Sequence, residues 1–172
     1  MKTLMLLCSL ITVIPAANLN GKVVGVKNGA ALEILSAGKV MDVRIQGIDC
    51  ADRKTVAGKA ARHYIADNAF MNDVSVEITG TESDGTLIGK VKLDNGLDIG
   101  MEMTKAGLVW WDKLNNPEDV AMANLEKQAR DAFKGIWAGV SEEDDEDLGR
   151  EVLAKRDLAE KNSTALLTQA GN

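Results

Sequence analysis

The sequence predicts an α+β fold, a five-stranded β-barrel carrying about three helices. Three observations lead there. Residues 21–48 hold three runs of alternating apolar and polar residues separated by tight-turn pairs. A segment of helical period follows the third run, and two further strand-like runs come next. Two capped helical segments then close the pattern.

The elements can be justified in order. GKVVGVK (21–27) is rich in β-branched residues and reads as a strand. Asn28-Gly29 is a hairpin turn signal, because both residues tolerate positive φ. AALEILS (30–36) is the returning strand, with Ala30, Leu32 and Ile34 on one face. Ala37-Gly38 turns the chain again, and KVMDVRIQGI (39–48) alternates Met41, Val43 and Ile45 with Asp42, Arg44 and Gln46. Residues 54–70 are amphipathic at helical spacing, with Val56, Ala60, Tyr64 and Ile65 assigned to the inner face. VSVEIT (74–79) and TLIGKVKL (86–93) are two strands around an ESDG loop. DIGMEMTKAG (98–107) is a short helix with Asp98 as N-cap and Gly107 as its stop; Met101 and Met103 are expected to fill gaps in the core. The segment 116–135 has Asn116 as a cap, Pro117 in the first turn and Gly135 at its end. Trp137 is expected to pack back on the barrel, and Trp110 and Trp111 to anchor the last helix.

The ends are different in kind. Residues 1–17 combine one basic residue, an apolar run and the small residues Ala16 and Ala17 after Pro15, the layout of a signal peptide cleaved near Ala17. The apolar run is too short to anchor the chain in a bilayer. The expectation is an exported protein, periplasmic or secreted, with no membrane contact once that segment is removed. Removal leaves a single thiol, Cys50, so no internal disulfide supports the domain. Residues 18–140 form the folded unit. Residues 141–172 begin SEEDDED and are expected to be a solvated acidic tail with at most a short helix.

Charge follows the same division. Residues 20–140 hold 15 Lys and Arg against 17 Asp and Glu, and residues 141–172 hold 4 against 9. A dedicated nucleic-acid binder carries a basic excess, because neutralising phosphates drives its affinity. None is present overall. A local basic patch (Arg53, Lys54, Lys59, Arg62, Lys90, Lys92) leaves weak nucleic-acid binding as the expected partnership. The chain is expected to be a monomer, with any protein partner left open.

Three strands, a helix, two strands and two helices match the order of an OB-fold barrel. At this point the residues resemble a known family. GKVVGVKNGAALEI, VRIQGIDCAD, TLIGKVKLDNG, MEMTKAGLVWW and ARDAFKGIWA, in that order over residues 20–138, are similar to the staphylococcal-nuclease (thermonuclease) family. The resemblance implies an OB-fold and calcium-dependent cleavage of DNA and RNA. It also implies that copies with an incomplete site act as binding modules.

A hard cation needs several oxygen ligands, and phosphodiester cleavage needs charge neutralised on the phosphate. By the resemblance, Arg44 is the phosphate-contacting Arg and Asp49 a metal ligand. Cys50 stands where its carbonyl can face the metal, and Asp52 replaces a longer catalytic Glu. The departures are as informative. The family's Asp-Gly-Asp-Thr hairpin reads Asn28-Gly29-Ala30-Ala31 here, so a metal carboxylate is replaced by Ala30. The second phosphate-clamping Arg is replaced by Thr86, and ring-bearing positions after the Trp pair are Asp112, Lys113 and Asn115.

Neighbours offer little compensation. Glu33 is expected on the opposite strand face, Lys90 too far along its strand, and Asp84 within reach of the emptied metal corner. Losing a preorganised charge-stabilising group costs about 10²–10³ in rate, and losing a phosphate-clamping Arg about 10³–10⁵. The resemblance therefore implies a family domain with weak or no hydrolysis that binds nucleic acid or a partner, with calcium weakly held. The alternative is an active calcium-dependent nuclease with a rearranged site. A purely structural reading pairs Arg44 with Asp49 across an unused pocket, and gives His63 a surface role.

Overall fold

The computed structural model describes residues 18–138; residues 1–17, expected to be a signal peptide, and residues 141–172, expected to be an acidic tail, lie outside the described residues. The strands are β1 (Asn18–Val26), β2 (Ala31–Ser36), β3 (Lys39–Ile45), β4 (Ile48–Asp49), β5 (Asp73–Thr81), β6 (Leu87–Leu93) and β7 (Trp110–Trp111). The helices are α1 (Val56–Ala69), α2 (Ile99–Lys105) and α3 (Val120–Asp131), followed by a 3₁₀ turn at Gly135–Trp137.

Five strands close a barrel in the order β1-β2-β3-β6-β5. Every neighbouring pair is antiparallel except β3 and β6, which run parallel through Val43–Leu87, Arg44–Ile88 and Ile45–Gly89. This is the OB-type barrel expected from the element order. Its interior is apolar: Val23, Leu32, Ile34, Val43, Ile45, Val76 and Val91 are fully or almost fully buried. These residues alternate with outward neighbours along each strand, as the two-residue period requires. Among the described residues no helix is long and apolar enough to cross a membrane.

The Ala37-Gly38 turn forms as expected, with φ of 48° and 79°. Asp98 caps α2 by accepting from the Met101 amide at 3.1 Å, and Gly107 follows with φ 70°. Met103 is buried, whereas Met101 is exposed. Trp137 is buried, with the Arg130 guanidinium of α3 4.5 Å from its ring centre.

Four expectations are corrected. Neither Asn28 nor Gly29 adopts positive φ. Asn28 Oδ1 instead accepts from the Ala30 amide at 2.8 Å, and Gly29 is small because a Cβ there would lie 2.6 Å from Cβ of Ala61. The run 39–48 is not one strand: it breaks at Gln46-Gly47, and β4 leaves the barrel to pair with β7. The inner face of α1 is Gly58, Ala61, Ile65 and Ala69, while Val56 is 86 % exposed and Ala60 lies outside. The last helix starts at Val120 with Asp119 as its cap, because Asp119 Oδ1 accepts from the Met122 amide; Asn116 instead accepts from Trp111 Nε1 through its carbonyl.

Candidate functional site

One end of β3, the β1–β2 loop, the segment after β4 and the β5–β6 loop enclose a cleft of about 450 Å³. Arg44, Asp49, Cys50 and Asp52 all line it, as do Lys27, Ala30, Asp42, Glu82 and Thr86. Residues far apart in sequence meet here because β3 and β6 lie side by side at Arg44–Ile88.

Each side chain is held by its own local structure. Arg44 sits on β3 between Ala31 of β2 and Ile88 of β6. Its Nη1 lies 3.3 Å from Glu82 Oε1, so its partner is Glu82 and not Asp49. Both side chains are more than a third exposed, which keeps this ion pair weak and screened. Asp49, on β4 opposite Trp110, is exposed, and its Oδ1 accepts from the Cys50 amide at 2.8 Å.

Asp52 precedes α1. Its Oδ1 accepts from the Lys54 amide at 2.8 Å, and its carbonyl accepts from the amide and the hydroxyl of Thr55, the helix N-cap. A Cβ on Gly58 would come within 2.1 Å of the Asp52 carbonyl oxygen, so Gly58 lets the first turn of α1 sit on the Asp52 backbone. Burial, and next the Asp49 charge, push the Cys50 thiol above its ordinary pKa. That protonated thiol is a poor nucleophile and a poor metal ligand.

Of the neighbours weighed as substitutes, two stay away as expected and one departs from its expectation. Glu33 and Lys90 do not line the cleft. Asp84 does not line it either; its carboxylate turns onto the Thr86 amide at 2.9 Å, which holds its pKa below the usual carboxylate value. The acids that do enter without having been expected are Asp42 and Glu82, and it is Glu82 that meets Arg44. Glu82 directly follows β5, and the hairpin closed by Glu82 N to Thr86 O at 2.8 Å carries it to Arg44, a placement that only the closed barrel produces.

Lys27 also enters unannounced, its ammonium 2.6 Å from Asp42 and 4.0 Å from Glu33. The Asp42 contact, foremost, raises its pKa. His63 is exposed on α1, outside this cleft. Trp111 anchors α3 as expected, because its amide donates to buried Glu126 at 3.0 Å.

A barrel of this topology with an Arg and two Asp at one rim calls for comparison with known proteins. The sequence profile described as Staphylococcal nuclease homologue matches residues 42–139. The chain belongs to that family. The match begins inside β3, so the first hairpin, where Ala30 replaces the expected acid, lies outside it.

Three relatives are similar along most of their length, two of them named as nucleases. The chain is 25 % identical over 122 residues to a protein of Escherichia coli O157:H7 named as an uncharacterized endonuclease, covering 71 % of this chain and 79 % of that one. It is 28 % identical over 139 residues to a micrococcal nuclease of Shigella flexneri, covering 75 % and 80 %. It is 27 % identical over 142 residues to the protein ParB of Escherichia coli, covering 77 % and 80 %.

The family implies calcium, and the donors can be tested for fit. Calcium takes six to eight oxygens, with affinity rising with the count of charged ligands. Asp49 and Cys50 line the cleft, but Ala30 supplies no carboxylate. Among the described residues no three or more His, Cys, Asp or Glu side chains converge as a metal site. This donor set does not fit a tight calcium site.

Proposed function

We propose that this protein is a nucleic-acid-binding member of the staphylococcal nuclease family whose phosphodiester hydrolysis is weak or lost. The observation that carries the reading is the buried methyl group of Ala30 at the cleft wall, where charge for a cation is expected. In this reading Arg44 contacts a phosphate of the bound strand. Glu82 occupies the Arg44 guanidinium in the free protein and competes with that phosphate. Asp52 orients water poorly, because one of its carboxylate oxygens is engaged by the Lys54 amide and its side chain is a methylene shorter than Glu. Calcium is held at millimolar strength or weaker.

The second reading is an active calcium-dependent nuclease using Arg44, Asp49 and Asp52. It is favoured by the names of the relatives, an endonuclease and a micrococcal nuclease. In either case the charged, apolar and small-residue pattern of residues 1–17 supports export.

Denatured DNA cast in a gel with calcium separates the two readings. The first expects no clearing by the refolded band beyond trace level. Clearing that vanishes in Arg44→Ala and in the presence of a chelator establishes the second.

A further inference from the structure

A second cleft, of about 590 Å³, adjoins the first; Lys27 and Arg53 line both. The rest of its lining is Val26, Lys54, Lys59, Arg62 and His63, with no carboxylate among them. Lys59, Arg62 and His63 share one face of α1 at spacings of three and four residues. Arg62 Nε donates to the Val26 carbonyl at 3.0 Å, which anchors the guanidinium and leaves its terminal amino groups for another acceptor.

What sets this cluster apart is that its unpaired cations share one concave place. Lys22, Lys27, Lys92, Lys105, Lys113 and Lys127 each have a carboxylate within 4.0 Å. Among the described residues Arg53, Lys54, Lys59 and Arg62 have none, nor do Lys39, Lys90 and Lys134, but only the first four line the same cleft. Like charges three and four residues apart on a helix destabilise it by a few tenths of a kcal/mol per pair. A domain with more acids than bases gains no stability from collecting four unneutralised cations in one concave place. Such a concentration attracts a polyanion. Lys90 and Lys92, by contrast, lie on β6 outside both clefts, so the basic patch read from the sequence divides in two.

We propose that the second cleft binds the phosphodiester backbone of a nucleic acid strand at phosphates flanking the one at Arg44. The strand runs from the first cleft past Lys27 and Arg53 onto α1. The proposal rests on the nucleic-acid reading of the first cleft and extends it to a second, sequence-independent subsite.

The test is fluorescence anisotropy of the full chain with a labelled twelve-residue oligothymidylate in a chelator, over a range of salt. In single strands each phosphate contact contributes about −0.7 to the slope of log K against log salt. The triple variant Lys54→Gln/Lys59→Gln/Arg62→Gln is expected to flatten the slope by about two and to weaken binding about a hundredfold at low salt. Lys39→Gln/Lys90→Gln/Lys134→Gln removes the same charge outside both clefts, and it is expected to change the slope little. Equal effects of the two triples, or no effect of the first, overturn the subsite. Binding of phosphatidylserine vesicles through Lys59 and Arg62 without oligonucleotide binding overturns it too, in favour of a membrane surface. Arg44→Ala keeps the two ideas apart. If it leaves oligonucleotide affinity unchanged while the first triple flattens the slope, the first-cleft reading fails and the subsite stands.

Discussion

Placing an acid at Ala30 should make the domain less stable without calcium and restore stability with it. Ala30 is 6 % exposed, its amide is held by Asn28 Oδ1 at 2.8 Å, and its carbonyl accepts from Ile45 N at 2.8 Å. The backbone there is fixed, so Ala30→Asp adds a carboxylate to a cleft already lined by Asp42, Asp49 and Glu82. Desolvation and like-charge repulsion together cost about 2 kcal/mol. For a domain of this size that is a fall in Tm of roughly 8 °C. A restored site with a Kd of about 0.1 mM regains about 2.7 kcal/mol at about 10 mM calcium, because ligand bound only by the folded state stabilises by RT ln(1 + [L]/Kd). The unaltered protein, with a Kd of about 10 mM or weaker, gains only about 0.4 kcal/mol under the same conditions. Scanning calorimetry with chelator and with calcium reads both shifts. If the unaltered protein gains as much from calcium as the variant does, the argument from the missing carboxylate is wrong.

Four further outcomes are expected. The triple change Ala30→Asp/Asp52→Glu/Thr86→Arg should raise calcium-dependent cleavage of single-stranded DNA by at least about 10², with single changes doing little, because groups that act as a unit are not additive; a folded, calcium-binding but inert triple variant would show that more than side chains has diverged. Glu82→Gln should free Arg44 and tighten oligonucleotide binding by up to about fivefold, the worth of an exposed ion pair; unchanged affinity argues that Arg44 does not meet the strand. Glu126→Ala should cost about 3 kcal/mol in chemical denaturation, since this 4 % exposed carboxylate accepts from Trp111 N and meets Lys113 and Arg130 at 3.4 and 3.5 Å, whereas Glu126→Gln keeps the amide contact and should cost less. Cys50, in a chain lacking residues 1–17 and so holding no other thiol, should react with a disulfide reagent with a midpoint above the ordinary thiol value. Its folded pKa is raised, so the stability linked to the protonated thiol is present below the unfolded-chain pKa and is lost as pH rises through the folded one; Asp49→Asn should bring the midpoint down, and a midpoint below the ordinary value contradicts the burial argument.

What was legible in the sequence was local. The Ala37-Gly38 turn, the Asp98 cap and the alternation of Leu32, Ile34, Val43 and Ile45 depend on neighbours in the chain, and all appear as read. The break at Gln46-Gly47 was not legible, because what ends β3 is the pairing of Ile48 and Asp49 with Trp111 and Trp110. The inner face of α1 was misread because Gly58, Ala61 and Ala69 are small, and small residues leave little hydrophobic signal even where packing is tightest. The motif comparison brought Arg44, Asp49, Cys50 and Asp52 to one cleft. It did not reveal Glu82 as the partner of Arg44, because the β5–β6 loop reaches β3 only when β3 and β6 pair and the barrel closes.

The parallel seam between β3 and β6 also bears on how the chain folds. The β1–β3 meander and the β5–β6 hairpin each join strands adjacent in sequence, and such local pairings form early. The seam is held by only three residue pairs and spans α1 and β5, so its loop-closure entropy falls on a late step. Until that step β3 presents an unpaired edge, the kind of edge on which partly folded chains associate. A chain emerging N-terminus first exposes this edge until β6 has followed it. Arg44 is the middle residue of the seam. The event that seals the vulnerable edge is therefore the one that assembles the Arg44 cleft, and a folding intermediate stalled before it has neither a closed barrel nor that cleft.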